Sequence, residues 1–308
     1  MKETTQATKR KVPIGKLIAV GGNEDKGTYP NPKTKKRYYL NFFELGILKR
    51  VVSELGGPDA RIEVITTASM IPEEMGQLYE NAFGILGCTN VGVMHIRTTE
   101  DAHLPDFLDR IKKCKGVMFT GGNQSRLTMV FGGTEFHTIL CDRYQNEDFV
   151  IAGTSAGAMA MSRVMIKGGS SFEALMKGTV RISKGLGFST GTIIDSHFVK
   201  RGRFGRLMEA IASYPKKIGI GLGEDTGVLI TEGNMIETIG SGLVIIVDGH
   251  DIGCNNVEEV EKGKPLSIEN IRIHVLAKGN IYDIRNRKFH QTESPAEREE
   301  VKVEAETE

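Results

Sequence analysis

The sequence is poor in the features that mark several protein classes. It has no apolar run near the ~18 residues that a membrane helix requires, so no membrane association is expected. It has almost no net charge: 40 lysines and arginines against 39 aspartates and glutamates leave +1 at pH 7. Bulk attraction to nucleic acid or to an anionic surface is therefore not expected. Cysteine is scarce and scattered at Cys88, Cys114, Cys141 and Cys254, with no CxxC pair. Such spacing excludes a disulfide framework and suits reduced thiols in a cytoplasmic protein. Residues 1–16 are polar and basic without an apolar core, so a secretory signal is not expected. No internal repeat and no linker divides the chain.

What is present is a 39% hydrophobic fraction, enough for a full core, and 37 glycines that recur where apolar runs end. Short apolar runs alternate with segments of helical spacing. Strands are expected at 16–20, 61–67, 91–97, 116–120 and 149–152. Helices are expected at 41–55, 73–86, 104–114 and, in segments, up to about 146. That alternation predicts an α/β fold with a mostly parallel central sheet covered by helices on both faces. Residues 167–190 are rich in glycine and serine with little periodicity and read as a long loop. A strand at 192–194, a helix at 203–213 and a strand at 217–222 follow. Close strands at 228–231, 235–239 and 243–247 suggest a small antiparallel edge region, and 271–277 one more strand. The expected organisation is a flexible lead at 1–13, a single domain at 14–288 and a disordered tail at 289–308. From Gln291 on, that tail carries seven glutamates and no aromatic residue.

The most informative stretch is Gly153-Thr154-Ser155-Ala156-Gly157. An apolar strand precedes this G-x-S-x-G match and an Ala/Met-rich helix follows it. In that context the pattern means a nucleophile elbow, a strained turn from which the serine hydroxyl projects. Serine needs a base to take its proton, and the base needs an orienting acid. Among seven histidines, His197 is the best placed, just past a short strand. Glu224 and Asp225 both follow the strand at 217–222 and are candidates for the acid. An oxyanion needs two donors. The N–H of Ala156 is one; the turn Gly121-Gly122-Asn123 offers the other, with Gly122 favoured over Gly121. Lys200, Arg201, Arg203 and Arg206 gather at the start of a helix, where cations oppose the dipole. Such a cluster makes sense beside an anionic ligand. Asp195 suits either a substrate cation or one of those arginines. The basic stretch Lys33, Lys35, Lys36 and Arg37 reads as an exposed, solvated loop, with attraction of an acidic substrate as the alternative.

Taken together, the motifs resemble the cyanophycinases, serine peptidases related to peptidase E. The resemblance is carried by Gly-Gly-Asn-Glu-Asp-Lys at 21–26, Gly-Gly-Asn-Gln at 121–124 and Gly-Thr-Ser-Ala-Gly-Ala at 153–158. Asp-Ser-His-Phe with the arginine run at 195–207 and Gly-x-Gly-Glu-Asp-Thr at 221–226 complete it. It implies a fold like class I glutamine amidotransferases, with serine in place of their cysteine. It implies Ser155 as nucleophile, His197 as base and Glu224 as third member, with no metal or cofactor. A substrate pocket would involve Asn123, Gln124, Asp195, Ser196, Arg201, Arg203 and Arg206. The substrate would be cyanophycin, a poly-aspartate carrying arginine on each β-carboxylate, and the product the β-Asp-Arg dipeptide. A cytoplasmic homodimer is also implied. Two positions depart from the pattern: Ser196 stands where the family often has glutamine, and Asn123 where it usually has aspartate. Two rival readings are a dipeptidase for short Asp-X peptides and a non-catalytic binding module on the same fold.

Overall fold

A computed structural model describes residues 11–27 and 41–291. The expected basic loop at 28–37, most of the lead and nearly all of the acidic tail lie outside them. Five strands form the parallel heart of the fold: β1 (Lys16–Val20), β2 (Ile62–Ile65), β3 (Val91–Met94), β4 (Gly116–Phe119) and β5 (Val150–Thr154). They lie in the order β3-β2-β4-β5-β1. β2, β4 and β5 are buried along their whole length, so they are mainly apolar, the exception in β2 being Glu63, which is held by Arg61 and Arg110.

Helices cover both faces. On one side, α1 (Ile47–Glu54) and α2 (Pro72–Ile85) bury Leu48, Val51, Tyr79 and Phe83 against the sheet. α1 begins six residues later than the spacing predicts, because Asn41 closes a turn by accepting N–H groups from Glu44, Leu45 and Gly46. On the other side lie α3 (Pro105–Lys113), α4 (Gln124–Phe131) and α5 (Glu135–Asn146). Phe131 of α4 stacks on Phe136 of α5 at 4.9 Å between ring centres. Asn123 and Thr134 cap α4 and α5 through their side-chain oxygens.

After β5 comes the short helix α6 (Ala156–Ala160). The region expected to be a loop instead contains the end of β6 (Val164–Gly168) and the whole of β7 (Arg181–Lys184), paired as a two-stranded ribbon. Its register shifts between Ile166 and Gly168, so Lys167 is the extra residue of a β-bulge. Then follow β8 (Thr192–Asp195), α7 (Phe204–Ser213) and β9 (Ile218–Leu222).

The rest of the domain is antiparallel: β10 (Thr226–Thr231), β11 (Met235–Gly240), β12 (Val244–Asp248), β13 (Arg272–Leu276), β14 (Ile281–Asp283) and β15 (Lys288–His290). β10, β11, β14 and β15 extend the main sheet beyond β1, giving nine strands among the described residues. β12 does not join them. It pairs with β9 and β13 in a second, four-stranded sheet of order β13-β12-β9-β8. β15 spans the boundary expected at residue 289. Side chains from both sheets share one core, in which Leu17 and Ile151 join Ile194, Ile220 and Val244.

Candidate active site

Strand register brings the site together. In the parallel pair β1–β5, Val20 lies opposite Thr154; in β4–β5, Phe119 lies opposite Gly153. The carboxyl ends of three adjacent strands therefore deliver Gly21-Gly22, Ser155 and Gly121-Gly122 to one rim, the place where open α/β sheets build sites. In the second sheet, Asp195 of β8 lies opposite Gly221 of β9 in a parallel pair. His197 and Glu224 thus leave neighbouring strand ends on the same side.

Close backbone packing fixes these turns. A Cβ on Gly153 would come within 2.8 Å of Gly157 backbone, and one on Gly157 within 2.5 Å of the Phe119 carbonyl. Only a residue without a side chain lets α6 pack so near β4 and β5. Two main-chain bonds tie the second sheet to the first: His197 N–H to Gly21 O and Asp225 N–H to Gly22 O, both 2.9 Å. Asn23, Ser155, His197 and Asp225 all have φ near +50°, four strained non-glycine residues in one place. Such clustering is a property of functional sites.

Ser155 stands between β5 and α6 with φ 50° and ψ −105°. Its hydroxyl lies 3.1 Å from Nε2 of His197. His197 Nδ1 lies 2.9 Å from Oε1 of Glu224. The same oxygen accepts a 2.5 Å bond from the side-chain amide of Asn23, and Lys200 donates to Oε2 at 3.1 Å. Burial pushes the imidazole of His197 below the ordinary histidine range; Arg201 and Arg203 add to this while Glu224 opposes it. This shift favours the neutral imidazole, the form that can accept a proton.

The first-turn N–H groups of α6, including that of Ala156, have no acceptor within their own helix. At five residues, α6 is too short to add the dipole expected of a longer helix. Gly121 sits beside Ser155, its ideal Cβ position 3.5 Å from that of the serine. Gly122, exposed and with φ 142°, passes too close to the Ala68 carbonyl for any side chain.

A cavity of about 240 Å³ opens on Ser155, and Gly122, Gln124, Ser196, Arg201, Arg203 and Arg206 line it, as do Met159, Lys167, Gly168 and Gly169. Its charge is one-sided. Asp195 is fully buried, with both carboxylate oxygens taken by Arg203 and Arg206. It holds the arginines in place and is not directed at a substrate cation. Gln124 donates its amide to the carbonyls of Ile166 and Lys167, pinning β6 to the site. Ser196 is buried with its hydroxyl on Met159. Asn123 is not part of the lining; its side chain caps α4 by accepting from Ser125 N–H. A larger cavity, about 380 Å³, lies at the other end of β1 near Lys11 and Tyr144 and contains none of these residues.

Sequence reasoning missed Asn23, Lys167 and Glu24. Asn23 and Glu24 were signalled by the Gly-Gly-Asn-Glu-Asp-Lys turn. Glu24 is buried beside Thr154, where it accepts from the hydroxyls of Tyr79 and Thr154 and pairs with Lys26. Burial raises its pKa, but those three partners outweigh that and bring it to about 2.

Comparison with known proteins agrees with the geometry. The family model described as peptidase family S51 matches residues 44–238. The chain is 34% identical to a cyanophycinase of Synechococcus elongatus over 271 residues, 88% of this chain and 80% of the relative. It is 36% identical to a cyanophycinase of Geminocystis herdmanii over 80% of this chain and 89% of the relative. The cyanophycinase of Trichormus variabilis is 33% identical, with 92% and 89% covered. A crystal structure of a peptidase from an acI-B1 Actinobacterium shares the fold, with a TM-score of 0.61 at 18% identity, covering 89% of this chain and 98% of that one.

Proposed function

The chain belongs to peptidase family S51, and from that membership we propose that it is a serine exopeptidase that hydrolyses cyanophycin to β-Asp-Arg dipeptides. Ser155 is the nucleophile of a nucleophile elbow. His197 takes its proton as the oxygen attacks the scissile carbonyl, and Glu224 holds the imidazolium that results. The N–H groups of Gly122 and Ala156 hold the oxyanion. Collapse expels the amine, protonated by His197, and leaves an acyl group on Ser155. Water activated by the same histidine then releases it. The sequence uses no metal and no cofactor.

One observation carries this reading: the unbroken chain from Ser155 through His197 to Glu224, at 3.1 and 2.9 Å, facing a cavity lined by three arginines and a lysine. Cations suit a substrate whose every arginine presents a free carboxylate. Incubating the purified protein with cyanophycin and weighing the products tests it. Dipeptide release by the wild type and none by Ser155→Ala is expected. An intact polymer, or full activity in Ser155→Ala, would refute it.

We read the protein as a cytoplasmic homodimer, the compartment supported by the scattered cysteines and the dimer by the family membership. Among the described residues no helix is long and apolar enough to cross a membrane. Light scattering tests the dimer, and fractionation of the source cells tests the compartment.

A further inference from the structure

We propose that Lys167 is a specificity-determining residue of this site, binding a carboxylate of the substrate that Arg203 and Arg206 do not hold. The inference rests on the serine-peptidase reading above. It begins with the bulge. In a regular ribbon, residues 166 and 168 would occupy equivalent sites on one face and 167 would point to the other. Here Ile166 pairs with Ile182 and Gly168 with Arg181, so an extra residue is accommodated at Lys167. Bulges beside active sites re-aim a side chain, and Lys167 lines the cavity that contains Ser155.

The bulge is held from both sides. Gln124 donates to the carbonyls of Ile166 and Lys167, at 2.9 and 3.2 Å. Of the next residues, Gly169 leaves no room for a side chain, since a Cβ there would meet the Thr179 carbonyl at 2.8 Å, while one on Gly168 would displace the Arg181 guanidinium at 2.8 Å.

Charge then separates two subsites. Asp195 already offsets one of the two charges on Arg203 and Arg206, and orients both guanidiniums. Lys167 and Arg201 are exposed, and neither side-chain cation is paired with a carboxylate among the described residues. Four cations against one buried carboxylate leave three uncompensated positive charges around Ser155, more than a single substrate carboxylate offsets. The end of a cyanophycin chain supplies two: the carboxylate of the terminal aspartate and that of its arginine. A lysine suits the more exposed of them, because an ammonium on a flexible stem follows a mobile anion without demanding a planar fork.

The test uses the full chain and a soluble oligomer of three β-Asp-Arg units, in three forms: all carboxylates free, arginine carboxylates converted to amides, or only the terminal aspartate carboxylate converted. For Lys167→Ala, the preference in kcat/KM for the free oligomer over one of the two amides is expected to fall about tenfold, the loss lying in KM, as for one charged hydrogen bond. The amide that shows the fall identifies which carboxylate Lys167 holds. Lys167→Arg is expected to restore most of the preference and Lys167→Glu to abolish it. Preferences for both amides within twofold of wild type in Lys167→Ala would overturn the inference while leaving the proposed function standing. Failure of the wild type to cleave any oligomer would overturn both.

Discussion

Asn23 and His197 meet on one oxygen of Glu224, at 2.5 and 2.9 Å. Asn23 comes from the turn after β1 in the main sheet, whereas His197 and Glu224 follow strands of the second sheet. The carboxylate that orients the histidine is thus itself oriented from across the boundary between the sheets.

Removing the Asn23 amide should loosen Glu224 and leave its oxygen a stronger acceptor for the imidazolium. Asn23→Ala is expected to lower kcat about tenfold, the worth of one hydrogen bond to a charged group. It should also move the acid limb of kcat/KM to higher pH. A pH–rate profile of wild type and variant with the same limb would remove Asn23 from this role.

The wild-type profile has a definite sign. In the proposed mechanism His197 acts when neutral, and burial with Arg201 and Arg203 holds it below the ordinary histidine value. Activity should therefore rise with pH through a midpoint on the acid side of an ordinary histidine and be level at neutral pH. Glu224→Gln, which reverses the hydrogen-bonding preference at Nδ1, should lower kcat at every pH, measured with the same oligomer.

Ser155→Ala should abolish hydrolysis by at least about a thousandfold while leaving the circular dichroism and melting temperature near wild type. Gly157→Ala makes the opposite contrast. Its methyl would lie 2.5 Å from the Phe119 carbonyl, and overpacking of this kind costs about 1–3 kcal/mol. A lowered urea midpoint together with lost activity is expected; wild-type behaviour in both would show that α6 can shift.

Glu24 links the turn after β1 to the strand that carries Ser155. Its pKa is about 2 in the folded protein against 4.5 for a free glutamate, a gap of about 3 kcal/mol. A depressed carboxylate stabilises the fold above the unfolded value, and that contribution is lost as pH falls from 4.5 towards 2. Urea unfolding should show wild type well above Glu24→Gln at pH 7, with the difference much reduced near pH 2. A difference that does not shrink with acid would mean that packing, not charge, is at stake.

Much of this was legible in the chain. Ser155, His197 and Glu224 each stand just past an apolar run, and in an α/β sheet those positions share a rim. The alternation of strand and helix up to β5 gave the parallel half of the main sheet for the same local reason. Other features depend on distant pairing. That β12 joins β9 and not β11 is settled by which faces share a core, and local alternation is the same in either case. The bulge at Lys167 exists only because β7 and Gln124 hold β6 from two sides. Asp195 was left between two partners by the sequence; burial decides it, because a carboxylate with no exposed surface needs Arg203 and Arg206 to offset its desolvation.

The two-sheet construction makes the Ser155–His197 bond a joint as well as a proton path. Ser155 travels with the nine-stranded sheet, while His197 and Glu224 travel together on the four-stranded one. A sliding of about one ångström between sheets would break the 3.1 Å contact together with the main-chain bonds of His197 to Gly21 and Asp225 to Gly22, and leave the 2.9 Å contact intact. The Ser155–His197 contact is thus the one link of the Ser155–His197–Glu224 chain that spans the seam, and its length is set by the main-chain bonds His197–Gly21 and Asp225–Gly22 that hold the two sheets together.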